Sequence, residues 1–320
     1  MYRFKEGARV CFYGDSITHG GIWIRRISDY YLNTAKIKCE MYNFGVSGNT
    51  AERAYARIDK LLAIKPTDVV VMFGMNDVAR WFYDCRPLTD EILTTRRNES
   101  QKNLDIYKKI LKEIKDAGAN IIFCTPTPYE ELCDTEIPTT IGMSGAIKEY
   151  GDRVLEMAKD YGNNVVDFNI ELFKAQKQAF LKGNSLIRPD HVHPNEVGHE
   201  FMARFFLKEQ GFDVELPYDY ARLEELSKLP FSEWEEERFR LEHEAKRTEY
   251  PRYDVWWNVK DEKQLIELVK DTLENHRSAS WAKGDTLKFV EGCYKDFLDL
   301  YDTEEERLQN YYTFVKTATK

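Results

Sequence analysis

Residues 68–73 have the sequence Asp-Val-Val-Val-Met-Phe, which is the strongest strand signal in the chain. Every side chain after Asp68 in this run is apolar, so both faces of the strand must be buried. A strand that is buried on both faces is typical of a parallel sheet whose two sides are covered by helices. The run therefore predicts an α/β fold with a parallel sheet at its centre.

Shorter β-rich runs alternate with amphipathic runs along the first two-thirds of the chain. The patterns predict further strands at 9–13, 37–42, 121–124 and 165–168, and helices at 22–32, 51–63, 99–117, 147–161, 170–181 and 196–208. This order predicts a three-layer α/β/α sandwich with helices on both faces of the sheet. Ligands of such folds bind beyond the carboxyl ends of the strands, so a functional site is expected there.

The pattern changes near residue 215, after which no β alternation is found. We expect a sheet domain over 1–214 and a C-terminal all-helical extension over 215–320, with helices at 221–247, 264–273 and 287–300. The extension could act as a lid, pack on the sheet domain or form a homo-oligomer interface. Large aromatic residues at helical spacing most often belong to a core, which favours packing.

Bulk composition excludes several classes of protein. The net charge is −9 and no dense basic stripe is present, which argues against a nucleic-acid partner. No run approaches the roughly 20 apolar residues that span a bilayer, so we expect no membrane partner. The six cysteines form no C-x-x-C pair, which favours buried, reduced thiols. Without a signal-peptide pattern at the start, the expected location is cytoplasmic.

Ser16 follows the first predicted strand, at the end of the run Val-Cys-Phe-Tyr-Gly-Asp-Ser. A serine hydroxyl is a weak nucleophile that needs a base, and the base needs a group to orient it. Asp190 and His193 lie three residues apart in a loop before the last sheet-domain helix, and they could fold back to Ser16 as orienting acid and base. Two alternatives stay open: these residues cap helices, or His191 and His193 bind a metal with Asp190, although no second ligand cluster is evident.

Two further turns lie at the expected edge of the sheet. Asn76 follows the central strand, and its amide could donate a hydrogen bond to a developing oxyanion. Gly48 follows the second strand, where the missing side chain lets its N–H approach a ligand closely. The alternative is that both residues only turn the chain.

Taken together, these four segments resemble the SGNH subgroup of the GDSL hydrolase family. The similarity covers about residues 9–210 and rests on Gly-Asp-Ser-Ile at 14–17, Gly48, Gly-Met-Asn-Asp at 74–77, and Asp-His-Val-His at 190–193, all in the family's order. The resemblance implies a flavodoxin-like three-layer fold. It also implies an esterase or acylhydrolase activity that needs no metal or other cofactor.

The resemblance assigns a role to each signature residue. Ser16 would be the nucleophile, His193 the base and Asp190 its orienting acid. The N–H groups of Ser16 and Gly48 and the side chain of Asn76 would form the oxyanion hole.

Two long insertions, 78–98 and 126–145, border the expected site. We expect them and the nucleophile turn to supply substrate-lining side chains, namely Asp15, His19, Arg80, Trp81, Phe82 and Tyr129. Aromatic planes with a few polar groups suit a sugar ring or a small acyl ester, although these side chains could merely anchor the loops. A lipase would need an exposed apolar patch or an anchor, and neither is evident.

The leading hypothesis is a serine ester hydrolase that removes a small acyl group, such as O-acetyl, from a carbohydrate or a similar soluble molecule. One alternative is a non-catalytic ligand-binding protein on an esterase scaffold. The other is a metal-dependent phosphoesterase that uses Asp15, Asp77, Asp190 and His193.

Overall fold

The computed structural model describes residues 2–83, 89–131 and 140–249 of the chain. The strands of the sheet are β1 Arg9–Gly14, β2 Glu40–Gly45, β3 Asp68–Met72, β4 Asn120–Cys124 and β5 Val165–Val166. All neighbouring strands are parallel, in the order β2-β1-β3-β4-β5. The predicted parallel central sheet is confirmed.

Strand β3 lies in the middle of the sheet, as its apolar sequence predicts. It pairs with β1 through Val10 and Asp68 at one end and through Gly14 and Met72 at the other. On its other side Val71 pairs with Phe123 of β4. Every residue of β3 is buried, because helices cover both faces of the sheet.

The helices are α1 Ser16–Gly20, α2 Ile22–Asp29, α3 Ala51–Tyr55, α4 Ile58–Ala63, α5 Asp90–Asp116, α6 Met143–Ala158, α7 Phe168–Phe180, α8 Glu196–Glu209, α9 Tyr220–Ser227 and α10 Glu233–Glu249. A π-helical turn at Tyr30–Thr34 extends α2, and short 3₁₀ turns occur at Arg80–Tyr83 and Lys159–Tyr161. Helices α2, α7, α8 and α9 pack together in one group and α3, α4, α5 and α6 in another. The three-layer α/β/α sandwich is therefore confirmed.

The two layers originate in the alternation of side chains along β1. Phe12 packs edge-on against Trp23 of α2, with ring centroids 5.3 Å apart. The next residue, Tyr13, packs edge-on against Phe73 at the same spacing, and Phe73 contacts Tyr107 of α5. Successive strand residues point to opposite faces, so one aromatic pair serves each layer.

The strand order creates a crevice at one end of the sheet. The chain leaves β1 for β2 on one side, then crosses β1 to form β3 on the other side. The connections that follow β1 and β3 therefore diverge, which opens a ligand crevice at the carboxyl ends of these two strands. The segments after β1 and β3 carry Ser16 and Asn76.

Some element boundaries differ from those expected. β2 runs from Glu40 to Gly45 and not from residue 37, because its register sets Gly45 beside Gly14. Helix α5 begins at Asp90 and not at residue 99, since the Thr89 hydroxyl accepts a hydrogen bond from the Ile92 N–H and caps it. Part of the expected insertion 78–98 is therefore helical.

Two helices that were expected to be continuous are interrupted. The helix expected over 51–63 is split between α3 and α4, where the Arg57 side chain turns inward to the Asn49 side chain and the Gly14 carbonyl. The helix expected over 221–247 is split between α9 and α10. Pro230 lies in this break, and proline lacks the N–H that a helix interior needs.

The chain forms two compact units, Met1–Glu236 and Glu237–Lys320. Within the first unit α9 packs on α8 and buries Leu223 and Leu226. In the second unit the structure describes only the rest of α10, so the helices expected at 264–273 and 287–300 lie outside the described residues. The domain boundary at 214 and 215 stays a prediction. No helix in the described part of the chain is long and apolar enough to cross a bilayer.

Candidate active site

Ser16 lies where β1 ends and helix α1 begins. The side chain of Asp15, the preceding residue, accepts a hydrogen bond from the Ile17 N–H at 3.0 Å and caps α1. The cap of this helix is therefore Asp15 and not Ser16, contrary to the alternative interpretation of the sequence. The Ser16 side chain is partly exposed instead.

The imidazole of His193 contacts this hydroxyl across a separation of 177 residues in sequence. Its Nε2 atom lies 2.7 Å from the Ser16 Oγ, which is hydrogen-bond distance. The His193 side chain is 33% exposed, so a ligand can reach it. The structure thus places a serine hydroxyl within hydrogen-bond distance of an imidazole, as a serine nucleophile and its base require.

Asp190 binds the other side of the same imidazole. Its Oδ2 lies 2.7 Å from His193 Nδ1, and its Oδ1 accepts from the N–H groups of Val192 and His193 at 3.0 and 2.9 Å. Burial alone would raise the pKa of Asp190, but these hydrogen bonds hold that pKa well below its usual range. A carboxylate can only accept, so Nδ1 of the neutral imidazole carries the proton and Nε2 is left to accept from Ser16.

A tight hairpin carries both residues. Its arms are joined by bonds from the Arg188 N–H to the His193 carbonyl at 2.7 Å and from the Asn195 N–H to the Leu186 carbonyl at 2.9 Å. Helix α8 follows immediately and presses on the hairpin at Gly198, where a Cβ atom would lie 2.2 Å from the Leu186 carbonyl oxygen. Only glycine allows this approach, which fixes the hairpin against α8.

The predicted oxyanion-hole residues lie on two loops that are bonded to each other. The Asn76 amide donates to the Asn49 carbonyl at 3.0 Å, which joins the loop after β3 to the loop after β2. Gly48 has φ of +72°, a conformation that favours glycine, and its carbonyl accepts from Arg53 at 3.0 Å. The two loops are therefore held as one unit beside the strand that precedes Ser16.

Asp77 makes a second connection between these two loops and is fully buried. Its Oδ1 accepts from the Ala51 N–H at 2.7 Å, at the start of α3. Burial raises the pKa of Asp77 to about 7, with a smaller contribution from the nearby Asp15 carboxyl, whose own pKa burial raises to about 6. The sequence suggested that Asp77 turns the chain or binds a metal, whereas in the structure it forms a hydrogen bond across the two loops.

The predicted substrate-lining residues fall into two groups. Asp15 and Tyr129 are buried, at 2% and 3% exposure, and therefore offer almost no surface to a ligand. His19, Arg80 and Phe82 are partly exposed, and the His19 Nδ1 lies 2.8 Å from the Ser47 hydroxyl, next to Gly48. The side chain of Trp81 lies outside the described residues. Contact between any of these residues and a substrate stays a prediction.

The sequence suggested two sets of metal ligands, one of Asp190, His191 and His193 and one of Asp15, Asp77, Asp190 and His193. In the part of the chain that the structure describes, no three His, Cys, Asp or Glu side chains are grouped so that they could hold a metal ion. The His191 imidazole bonds instead to the Glu130 carbonyl at 2.7 Å, and this role was missed. His191 has a left-handed backbone with φ of +65°, which its local sequence does not indicate.

Similarity to known proteins agrees with this geometry. The sequence model of the GDSL-like lipase/acylhydrolase family matches residues 12–201, which is more than half of the chain. An acetylxylan esterase of Geobacillus stearothermophilus is 31% identical over 176 residues, covering 53% of this chain and 72% of that protein. A human protein named isoamyl acetate-hydrolyzing esterase 1 homolog is 27% identical over 208 residues, covering 61% of this chain and 77% of that protein.

Solved structures show the same fold. The structure of Axe2, an acetylxylan esterase from Geobacillus stearothermophilus, has a TM-score of 0.52 and 25% identity and covers 66% of this chain and 98% of that one. The structure named BT4096, a gut microbial diltiazem-metabolizing enzyme, has a TM-score of 0.61 and 30% identity over 66% of this chain, but this chain spans only 48% of that protein. The chain therefore belongs to the GDSL-like lipase/acylhydrolase family of carboxylic ester hydrolases.

Proposed function

We propose that this protein is a serine esterase that removes an O-acetyl group from a soluble carbohydrate through an acyl-enzyme intermediate. The observation that carries the proposal is the continuous chain of hydrogen bonds from the Ser16 hydroxyl through His193 to Asp190, with 2.7 Å at each step. Such a chain activates a hydroxyl without a metal ion.

The first half of the reaction forms an ester to Ser16. Nε2 of His193 takes the hydroxyl proton while the Ser16 Oγ attacks the substrate carbonyl carbon. The imidazolium that results is stabilised by the Asp190 carboxylate, whose depressed pKa keeps it ionised. The tetrahedral intermediate then expels the alcohol, which takes its proton from Nε2.

The second half of the reaction returns the free enzyme. A water molecule loses its proton to His193 Nε2 and attacks the acyl carbon. The second tetrahedral intermediate then collapses as Nε2 returns this proton to the Ser16 Oγ, which releases acetic acid, ionised to acetate in solution, and restores the Ser16 hydroxyl. Both intermediates carry a negative oxygen. We assign its stabilisation to the N–H groups of Ser16 and Gly48 and to the Asn76 amide, which the bond to Asn49 orients.

The acetyl group is the best supported part of the substrate. The names of both relatives refer to acetate esters, while their alcohols differ between a polysaccharide and a small branched alcohol. Three solved structures of Axe2 are named as catalytic mutants in which a serine, an aspartate or a histidine is replaced by alanine, the residue types of the proposed triad here. The partly exposed His19, Arg80 and Phe82 combine an aromatic plane with polar groups, which suits a sugar alcohol.

Acetate release from three acetate esters tests this proposal. The full chain is assayed with acetylated xylo-oligosaccharide, isoamyl acetate and p-nitrophenyl acetate, beside its Ser16→Ala variant and with a strong chelator present. We expect kcat/KM to be highest for the sugar ester, no effect of the chelator, and loss of all three activities in the variant. If the wild type turned over none of the esters, the proposed esterase activity would be contradicted. A preference for isoamyl acetate would contradict a carbohydrate substrate.

A further inference from the structure

His191 lies between the two proposed triad residues of the hairpin and has an unusual backbone conformation. Its φ is +65°, in the left-handed region that non-glycine residues seldom adopt. It is also 1% exposed, so the strained residue is packed on all sides. Strain of this kind persists only where surrounding contacts impose it.

The contacts that hold His191 come from the segment after β4. The Glu130 carbonyl accepts from the His191 imidazole, with 2.7 Å to Nδ1. The Glu130 N–H donates to the His191 carbonyl at 3.0 Å. The Glu130 backbone thus holds His191 by two hydrogen bonds, one to its side chain and one to its carbonyl. These bonds fix the direction in which the chain leaves Asp190.

The segment that contains Glu130 is itself held in place by hydrogen bonds and a ring contact. The ring of Tyr129 packs at a tilt against the His191 imidazole, with centroids 5.8 Å apart and 32° between the ring planes. The Tyr129 hydroxyl accepts from the Thr140 N–H at 2.9 Å, and the Glu131 carboxylate accepts from the Ser144 N–H at 2.7 Å, in the first turn of α6. The segment is therefore fixed to the sheet at one end and to α6 at the other.

The position of His193 depends on this arrangement. The N–H groups of Val192 and His193, which follow His191 directly, both bind the Asp190 carboxylate. If His191 relaxed to an ordinary negative φ, these N–H groups would turn away and the imidazole of His193 would move from Ser16. A displacement of about 1 Å in a catalytic group can lower a rate roughly 10²-fold.

We infer that His191 is a positioning residue: its left-handed backbone and its hydrogen bond to the Glu130 carbonyl together hold Asp190 and His193 in line with Ser16. This inference rests on the proposed esterase function. It goes beyond that function, because the family resemblance gives His191 no role.

Three substitutions separate the two contributions of His191. His191→Ala loses the donor and disfavours the left-handed backbone, so kcat for p-nitrophenyl acetate should fall roughly 10²-fold with little change in KM. His191→Gly keeps the backbone freedom but loses the donor, and should retain an intermediate rate. His191→Asn should restore most of the rate, because asparagine tolerates this conformation and its Nδ2, like Nδ1 of histidine, is two bonds from Cβ.

Asn163→Ala is the matched control. Asn163 also has a positive φ, of +55°, but it is exposed and precedes β5, at the opposite end of the strands from Ser16. It should lose stability with no change in kcat. The proton NMR signal of the His193–Asp190 hydrogen bond provides a readout that loss of stability alone does not move, and it should weaken in His191→Ala and return in His191→Asn.

The outcomes distinguish this inference from the proposed function. An inactive wild type contradicts the esterase itself. An active wild type with a folded His191→Ala variant of equal kcat overturns the positioning role, as does a His191→Asn variant no better than His191→Ala. If His191→Ala fails to fold, the comparison of His191→Gly with His191→Asn decides, since equal kcat values would also overturn it.

Discussion

At the scale of single residues, the three donors around Asp190 determine how the proposed triad works. The N–H groups of Val192 and His193 fix the carboxylate, and its second oxygen fixes the imidazole of His193. The residue types were evident in the sequence, since an acid and a histidine three residues apart suggested the pair. Their shared turn was not evident, because it depends on contacts with α8 and with Glu130, which is 61 residues away in sequence.

Asp190→Asn should lower kcat about 10³–10⁴-fold with little change in KM. An amide N–H in place of Oδ2 would force the proton of His193 onto Nε2, which then cannot accept the proton of Ser16. Steady-state kinetics with p-nitrophenyl acetate measure the effect, and far-ultraviolet circular dichroism checks the fold. A variant with kcat within tenfold of the wild type would show that Asp190 does not orient His193.

Asp77→Asn should change how stability depends on pH. The pKa of Asp77 is raised to about 7 in the folded protein, so the folded state binds the proton more tightly than the unfolded state does. Stability from this group is therefore complete below the unfolded pKa of about 3.9 and is lost as pH rises through 7. Asparagine resembles the neutral acid and still offers an oxygen to the Ala51 N–H.

Thermal unfolding at pH 5 and pH 8 measures this difference. The midpoint of the wild type should fall more between the two pH values than that of Asp77→Asn, and Asp15, with its pKa raised to about 6, should contribute a smaller fall in both proteins. Parallel pH curves for the two proteins would mean that Asp77 does not titrate in this range.

At the scale of elements, the close contact between α8 and the hairpin of residues 186–195 holds His193, the proposed base, in place. Gly198→Ala would force a Cβ against the Leu186 carbonyl oxygen, 2.2 Å away, and so move the hairpin that carries His193. We expect lower kcat, by roughly 10²-fold, and lower stability. Gly145→Ala is the matched control, because a Cβ at this exposed site in α6 would meet nothing within 4 Å.

Gly145→Ala should keep full activity and gain about 0.5–1 kcal/mol of stability, as alanine is the better helix former. Kinetics and chemical unfolding of both variants provide the comparison. Equal kcat in Gly198→Ala and the wild type would show that the α8 contact does not position the hairpin.

The agreement between sequence and structure follows the range of the interactions involved. β3 was predicted because its burial is encoded within its own residues. The start of β2 was displaced, because register with β1 is a long-range constraint that its residues 37–39 do not encode. The break at Arg57 was missed for the same reason, as its guanidinium reaches the Gly14 carbonyl. Local pattern thus predicts which elements exist, and contacts between elements set where they end.

At the scale of the whole molecule, residues 215–236 belong to the compact unit that contains the site. The Phe231 ring lies over the Arg25 and Arg26 guanidinium groups, 3.9 and 4.0 Å from its centroid. Leu223 and Leu226 are buried within this unit. Residues 215–236 therefore pack as part of this unit, while the role of the rest of the predicted extension, the oligomeric state and the cytoplasmic location stay predictions.

A chain that ends at residue 240 should fold and keep its esterase activity, whereas one that ends at residue 214 should be much less stable. Loss of Leu223 and Leu226 alone should cost about 2 kcal/mol each, from the apolar surface exposed. Urea unfolding and p-nitrophenyl acetate kinetics of both truncated chains measure the difference. Equal stability of the two would show that 215–236 is not part of the fold.

Covalent labelling of the nucleophile tests the central claim most directly. The full chain is treated with an aryl alkylphosphonate, an irreversible mimic of an acyl ester, and digested for mass spectrometry. The account predicts one adduct per chain, located on Ser16, with loss of activity in step with labelling, and much slower labelling of His193→Ala. Inactivation with the adduct on another residue, or full activity of a chain labelled at Ser16, would contradict it.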